Sequence, residues 1–244
     1  MSPGEVDEAV AARLAGRVAV VSGGSRGIGR AVAARLAAAG ANVLLVARDA
    51  AAVQEAARVL GAHAFPANVA LESDVAALAA AVQDQFGQAD VVVHAAGAFR
   101  LAPIVETSLL SFDRMLAVNL RGAFLLVSAF LPAMLARGSG HFVSIGSLAG
   151  RVALPGNGAY AASKFGLRGL HAVLDLELKG TGVRATLIEA AATNTGLWED
   201  MDPTAQAIPE RSAMLSPATV ADAVLFALAQ PPGAAVRNII LDRN

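Results

Sequence analysis

The chain has 244 residues, 55% hydrophobic and only 5% aromatic, so its interior must be assembled largely from Ala, Val and Leu on closely packed elements. A formal net charge of −1 and a pI near 6.4 remove the electrostatic ground for binding nucleic acid or an anionic membrane and favour a small-molecule partner. There is no cysteine, hence no disulfide framework or thiolate site, and His63, His94, His141 and His171 lack metal-ligand spacing, so no metal is expected.

The chain opens with Glu5, Asp7 and Glu8 in place of a basic region followed by an apolar run, which does not read as a signal peptide. Residues 1–16 are expected to be a flexible, partly helical tail, and the protein is expected in the cytoplasm. From residue 17 short β-branched runs alternate with longer Ala/Leu-rich stretches of helical period, the pattern of a parallel sheet covered by helices. Strands are predicted at 17–22, 42–47, 62–66, 90–94, 140–146, 182–188 and 235–241, nearly all apolar, as strands buried on both faces should be. Helices are predicted at 28–39, 50–60, 72–86, 111–136, 158–179 and 218–229.

Gly40, Gly61, Gly87 and Gly180 stand where helices can close, and Pro217 where one can open. The most apolar stretch, 122–136, contains Ser128 and Pro132 and reads as a buried helix rather than a bilayer span. No linker or repeat divides the chain, so 17–244 is read as one α/β domain. Residues 190–216 lack periodicity yet hold Trp198, Met201, Pro203, Pro209 and Met214, which suggests a substrate lid; the alternative is a surface excursion.

The first predicted strand runs through Ser22-Gly23-Gly24-Ser25-Arg26-Gly27-Ile28-Gly29 directly into a helix. Glycines there let backbone approach a pyrophosphate, and the N–H groups and dipole of the helix start attract its charge. Ser25 and Ile28 complete this loop. At the end of the second strand, where an enzyme using NAD(H) normally carries an acid, the sequence reads Val46-Ala47-Arg48-Asp49. Arg48, with Arg26, offers two guanidinium groups for a 2′-phosphate, which favours NADP(H) over NAD(H). Asp49 either caps the next helix or accepts from the ribose, and both arginines have the plain alternative of solvated surface charge.

Tyr160 is the one tyrosine, and Lys164 follows four residues later on the same face of a predicted helix. An adjacent ammonium favours the phenolate and would bring the phenol toward the working range. Ser147 closes the fifth strand, with Ser144 as a competing polar residue. Ala95-Ala96-Gly97 follow the fourth strand, and Asn119 lies among apolar neighbours in the long helix. His94 reads as a satisfied buried histidine rather than a catalyst.

In these residues the sequence resembles the short-chain dehydrogenase/reductase family, from residue 17 to the last strand. The resemblance implies a Rossmann-type doubly wound parallel sheet of seven strands in the order 3-2-1-4-5-6-7, with helices on both faces. It implies a catalytic tetrad of Asn119, Ser147, Tyr160 and Lys164, acting on a carbonyl or alcohol. Tyr160 would exchange the proton, Ser147 orient the substrate oxygen, Lys164 hold the nicotinamide ribose and lower the tyrosine pKa, and Asn119 anchor a water in the proton path. Cofactor contacts would come from Gly23, Ser25, Arg26, Gly27, Ile28, Gly29, Arg48, Asn68, Val69, Ala95, Ala96, Gly97, Tyr160, Lys164, Thr193 and Thr195.

Three positions depart from the family pattern: Ser22 stands for Thr, Asn68 for an Asp that contacts adenine, and Ala190-Ala191 for Pro-Gly. The last exchange is expected to reshape or loosen the turn beside the nicotinamide. Phe99, Leu101, Ile104, Leu148, Leu154, Leu197, Trp198 and Met214 suggest a pocket for an apolar ketone or aldehyde, and Arg100 or Arg151 could meet a carboxylate. The functional alternatives are a non-redox lyase and a non-catalytic NADP(H)-binding sensor. The long helices at 111–136 and 158–179 carry more apolar positions than one sheet face can cover, so a homo-oligomer, a tetramer or a dimer, is expected.

Overall fold

A computed structural model describes residues 11–199, 210–231 and 233–243. In chain order its elements are β1 (Val18–Ser22), α1 (Gly27–Ala38), β2 (Asn42–Ala47), α2 (Ala50–Leu60), β3 (His63–Pro66), α3 (Glu72–Phe86), β4 (Val91–His94), α4 (Leu109–Leu116), α5 (Gly122–Arg137), β5 (Gly140–Ile145), α6 (Gly158–Glu177), β6 (Val183–Ala190), α7 (Pro217–Leu228) and β7 (Asn238–Leu241). The strands form one sheet in the order β3-β2-β1-β4-β5-β6-β7, every adjacent pair parallel. This is the doubly wound arrangement expected.

Strand periodicity divides the apolar residues between two layers. Ala19 and Val21 of β1 point into a core with Val32 and Leu36 of α1, Val53 of α2 and Val220 and Val224 of α7. Val18 and Val20, one residue out of phase, meet Leu78 of α3, Leu126, Phe130 and Met134 of α5, and Leu174 of α6. Burial on both faces is why these strands read as unbroken apolar runs. The leading segment contributes too: residues 11–14 are helical and Leu14 is 3% exposed within the first of these cores. That turn is packed, in contrast to the tail expected over 1–16; residues 1–10 lie outside the described residues.

Local chemistry sets the ends of several elements. Gly61 closes α2 in the left-handed conformation, at φ 62°. Ser216 caps α7 by accepting from Thr219 N, with Pro217 at the first turn. The helix expected at 111–136 runs from Leu109 to Arg137, but Ala117–Arg121 within it is a π turn. The buried Asn119 occupies that wider turn, and its amide reaches across to the loop after β4; such insertions recur at functional sites. Pro132 is accommodated inside α5 without ending it. β6 continues to Ala190, beyond the predicted 188, because Ala190 pairs with Leu241; β7 begins only at Asn238.

Candidate active site

The C-terminal ends of the central strands gather the polar residues. Sheet register sets Ser22 beside His94 and His94 beside Ser144. In doubly wound sheets ligands bind at this end, where strand order reverses about β1.

The glycine loop forms a cradle that side chains would fill. A Cβ on Gly23, whose φ is +70°, would lie 2.6 Å from Ala96 N, and one on Gly29 would collide with the Gly23 carbonyl. Arg26, at the N-cap of α1, makes no side-chain cap, and the first turn holds no acid. The leading N–H groups of α1 thus face the loop uncapped, a fit for a pyrophosphate. Ser25, Gly27 and Ile28 are half-buried beneath this opening, and Arg26 and Arg48 are exposed at its rim. Among the described residues neither arginine has an ion-pair partner. Asp49 accepts from Ala52 N at 3.0 Å through Oδ1 and so caps α2. Asn68 uses Oδ1 to accept from Ala70 N at 3.2 Å, while its own backbone N–H donates to Asp74, and Val69 is buried behind it.

Tyr160 and Lys164 lie one turn apart on α6, and Ser147 caps the short 3-10 turn Leu148–Gly150 after β5, accepting from Ala149 N at 3.1 Å. The Tyr160 ring is half-buried, edge-on to Phe99 at a centroid distance of 4.6 Å. Burial pushes its phenol up to about 12, and the hydrogen bond with Ser147 pulls the other way. Lys164 Nζ stands 5.6 Å from the ring centroid and donates to the Ile145 carbonyl at 2.8 Å. Lys164 itself is buried, which brings its pKa down to about 8. Ser144 points into the sheet interior, bonded to His171 Nε2 at 2.7 Å, so it does not compete with Ser147 for the cleft.

Asn119 joins three pieces of the site. Its Oδ1 accepts from Ala98 N at 2.7 Å, and its Nδ2 donates to Ala98 O at 2.8 Å and Ser163 Oγ at 2.9 Å. Ser163 in turn donates to the Tyr160 carbonyl at 2.7 Å. Both amide hydrogens are therefore committed to protein, and the side chain locks the Ala95-Ala96-Gly97 loop to the tyrosine helix. His94 is buried, its Nδ1 3.0 Å from Ser22 Oγ, and desolvation foremost brings its pKa down to about 3, so it is a neutral core residue.

The segment after β6 is held by hydrogen bonds where the family uses a Pro-Gly turn. Ala191 N donates to Leu241 O at 2.8 Å, Leu215 N to Ala192 O at 2.8 Å, and Asn194 N to Leu215 O at 2.8 Å. Thr193 is buried with its carbonyl accepting from Trp198 Nε1 at 3.0 Å, and the Thr195 methyl would lie 3.2 Å from a Cβ at Gly27, bringing this segment against the cradle. Trp198 meets Phe99 edge-on at 5.0 Å, so an aromatic row leads from Tyr160 outward. Met214 is buried, whereas Ile104 and Leu154, expected in the pocket, stand largely in solvent. Of 190–216, residues 200–209, including Met201, Pro203 and Pro209, lie outside the described residues. Arg151 is not available to a substrate carboxylate: its Nη2 lies 2.6 Å from Glu189, which is 1% exposed. Ser163 and this Arg151–Glu189 pair escaped sequence reasoning, because no local pattern separates them from ordinary polar residues.

A family model described as short chain dehydrogenase matches residues 17–206. The chain belongs to the short-chain dehydrogenase family. It is similar to a D-threitol dehydrogenase of Mycolicibacterium smegmatis, 42% identical over 76% of this chain and 73% of that protein. It is also similar to a glycine betaine reductase of Emericella nidulans, 36% identical over 94% of this chain, although the chain spans only 19% of that much longer protein. Among solved structures, a metagenomic short-chain oxidoreductase in complex with NADP superposes with a TM-score of 0.80, at 33% identity, covering 94% of this chain and 97% of the other. Short-chain dehydrogenases are oxidoreductases that bind a nicotinamide nucleotide and act on small molecules, and the chain's seven-stranded sheet is theirs.

Proposed function

We propose that this short-chain dehydrogenase transfers hydride between NADP(H) and a carbonyl or alcohol, with an apolar ketone or aldehyde as substrate and Tyr160 as the proton-exchanging residue. The observation that carries the reading is the convergence of Ser147, Tyr160 and Lys164 on one cleft beside the uncapped start of α1. When bound, the nicotinamide supplies or takes up the hydride. Tyr160, whose phenol burial holds in the protonated form, gives its proton to the carbonyl oxygen in reduction and takes it back from the alcohol in oxidation. Ser147 orients that oxygen by its hydroxyl. Lys164 holds the ribose hydroxyls and recharges the phenol. Asn119, whose amide is spent on Ala98 and Ser163, keeps the two walls of the cleft in register.

Arg26 and Arg48 support the phosphorylated cofactor, since each can give a guanidinium to a 2′-phosphate that NAD(H) lacks. The row of Tyr160, Phe99 and Trp198 supports an apolar substrate, and the segment 190–216 is read as its lid. Neither the lyase nor the sensor alternative gains a supporting feature. The enzyme is further read as a cytoplasmic homo-oligomer, a tetramer or a dimer, joined through the apolar outer faces of α4, α5 and α6.

The test is consumption of NADPH with a panel of ketones and aldehydes of graded size. Tyr160→Phe should bind NADPH with unchanged affinity and turn over at least a thousandfold more slowly, in keeping with the loss of a positioned acid and its proton. Turnover within tenfold of the parent enzyme would remove Tyr160 from the mechanism.

A further inference from the structure

A cavity lies at the opposite end of the sheet from the cleft. The starts of β4, β5 and β6, with the segment leading into β1, enclose about 1110 Å³. Its lining includes Arg13, Arg17, Lys179, Arg184 and Arg237, against the carboxylates Asp90 and Asp175. Both acids are already engaged: Asp90 takes Arg17 at 3.0 Å, and Asp175 takes Arg237 at 3.2 Å. Among the described residues Arg13, Lys179 and Arg184 have no acidic partner.

Arg184 is the focus of this charge. Its half-buried guanidinium gives Nη1 to the carbonyls of Gln230 and Ala234, at 3.0 and 3.3 Å, while Nε and Nη2 have no protein acceptor among the described residues. Burial, then the charges of Arg13 and Arg17, lower its pKa, so the three guanidinium groups feel one another. His141 lines the same cavity and is buried. The Thr186 hydroxyl donates to Val236 O and so accepts from His141 Nε2 at 2.8 Å, which leaves His141 Nδ1 without a partner among the described residues. Like charges brought together around a concave space repel one another unless a counter-anion sits among them, and partial desolvation strengthens whatever attraction they exert.

We propose that this cavity is a binding site for a small, multiply charged anion, of the phosphate or polycarboxylate class, held by Arg184 with Arg13 and Lys179. It is separate from the cradle at the C-terminal ends of the strands and does not depend on the redox reading. Arg184 supplies the planar fork that recognises paired anionic oxygens, and Arg13 and Lys179 add charge at the mouth.

The probes are inorganic pyrophosphate and citrate, titrated calorimetrically in a low-salt cationic buffer into the full chain saturated with NADPH, so that the glycine-loop cradle is already filled; which of them binds distinguishes a phosphate from a carboxylate source. Saturable binding of at least one is expected, weakened at least tenfold by Arg184→Gln and by the pair Arg13→Gln with Lys179→Gln, and unchanged by Arg48→Ala. Arg13 and Lys179 are exposed, so their replacement leaves the fold intact even if Arg184→Gln does not. Absence of saturable binding for both probes would overturn the site, as would affinity that survives the cavity substitutions within twofold or falls with Arg48→Ala alone.

Discussion

Arg48 follows β2 directly and is exposed, with no ion-pair partner among the described residues, and on the proposed reading its guanidinium meets the 2′-phosphate of NADP(H). A hydrogen bond to a charged group contributes about 1.5–3 kcal/mol, so Arg48→Ala should lower kcat/KM for NADPH by roughly ten- to a hundredfold and leave NADH nearly unaffected. Steady-state kinetics with both nucleotides reads this out; an equal fall for the two would remove Arg48 from phosphate recognition. Arg151 is the contrasting case, an arginine whose Nε and Nη2 both meet Glu189. Glu189 is buried and accepts also from Asn238, with Arg168 Nε 3.8 Å away, so loss of Arg151 takes the nearer of two cations from a buried carboxylate. Arg151→Ala should therefore cost about 3–5 kcal/mol of stability by denaturant melting, whereas Arg151→Met joined to Glu189→Leu should recover most of that loss. A single variant as stable as the parent would show that the pair is dispensable.

At the scale of elements, the outer surfaces of α4, α5 and α6 are unusually apolar. Leu110 is 80% exposed, and Phe124, Val173 and Leu176 are each more than half exposed, although the inner side of α5 is buried against the sheet. Leu110, Leu116, Leu120, Phe124 and Leu170 also border a shallow groove between these helices. Contiguous apolar surface of this kind marks an interface, and packing copies across it would bury what the sheet cannot reach. Light scattering at micromolar concentration should give a dimeric or tetrameric mass, and Leu110→Glu with Phe124→Glu should reduce it. A monomeric parent protein would end this reading. The loop after β6 carries a parallel bridge between Thr193 and Leu215, which ties it to the segment that leads into α7.

For the whole molecule, three buried histidines set its response to acid. Desolvation brings His94 and His141 down to about 3 and His171 to about 4. Each stays neutral in the folded protein but takes a proton near pH 6.5 once unfolded, so the stabilisation is complete above about pH 6.5 and is lost as pH falls toward 3. Each histidine contributes a slope of up to about 1.4 kcal/mol per pH unit in that window, enough for the melting temperature to drop markedly between pH 7 and pH 5. His171→Gln should flatten the curve, provided the amide keeps the bond to Ser144. A melting temperature independent of pH over that interval would mean that these rings are solvated.

Sequence by itself determined the order and kind of the elements, because apolar runs buried on both faces and helical repeats of Ala and Leu are local signals. It also placed the glycine loop and Ser147 after strand ends, and Tyr160 and Lys164 one turn apart on a helix, since each rests on local spacing. Tertiary structure alone decided how each polar side chain is spent. Asp49 went to a helix cap, Ser144 to His171, Arg151 to Glu189, and Asn119 to Ala98 and Ser163, some of these partners lying 27 to 44 residues away. Nor could spacing show that burial raises the Tyr160 phenol, because desolvation depends on everything that surrounds a group. The basic cavity at the far end of the sheet is hidden for the same reason: Arg13, Lys179 and Arg184 are scattered in sequence, and only the fold sums their charge.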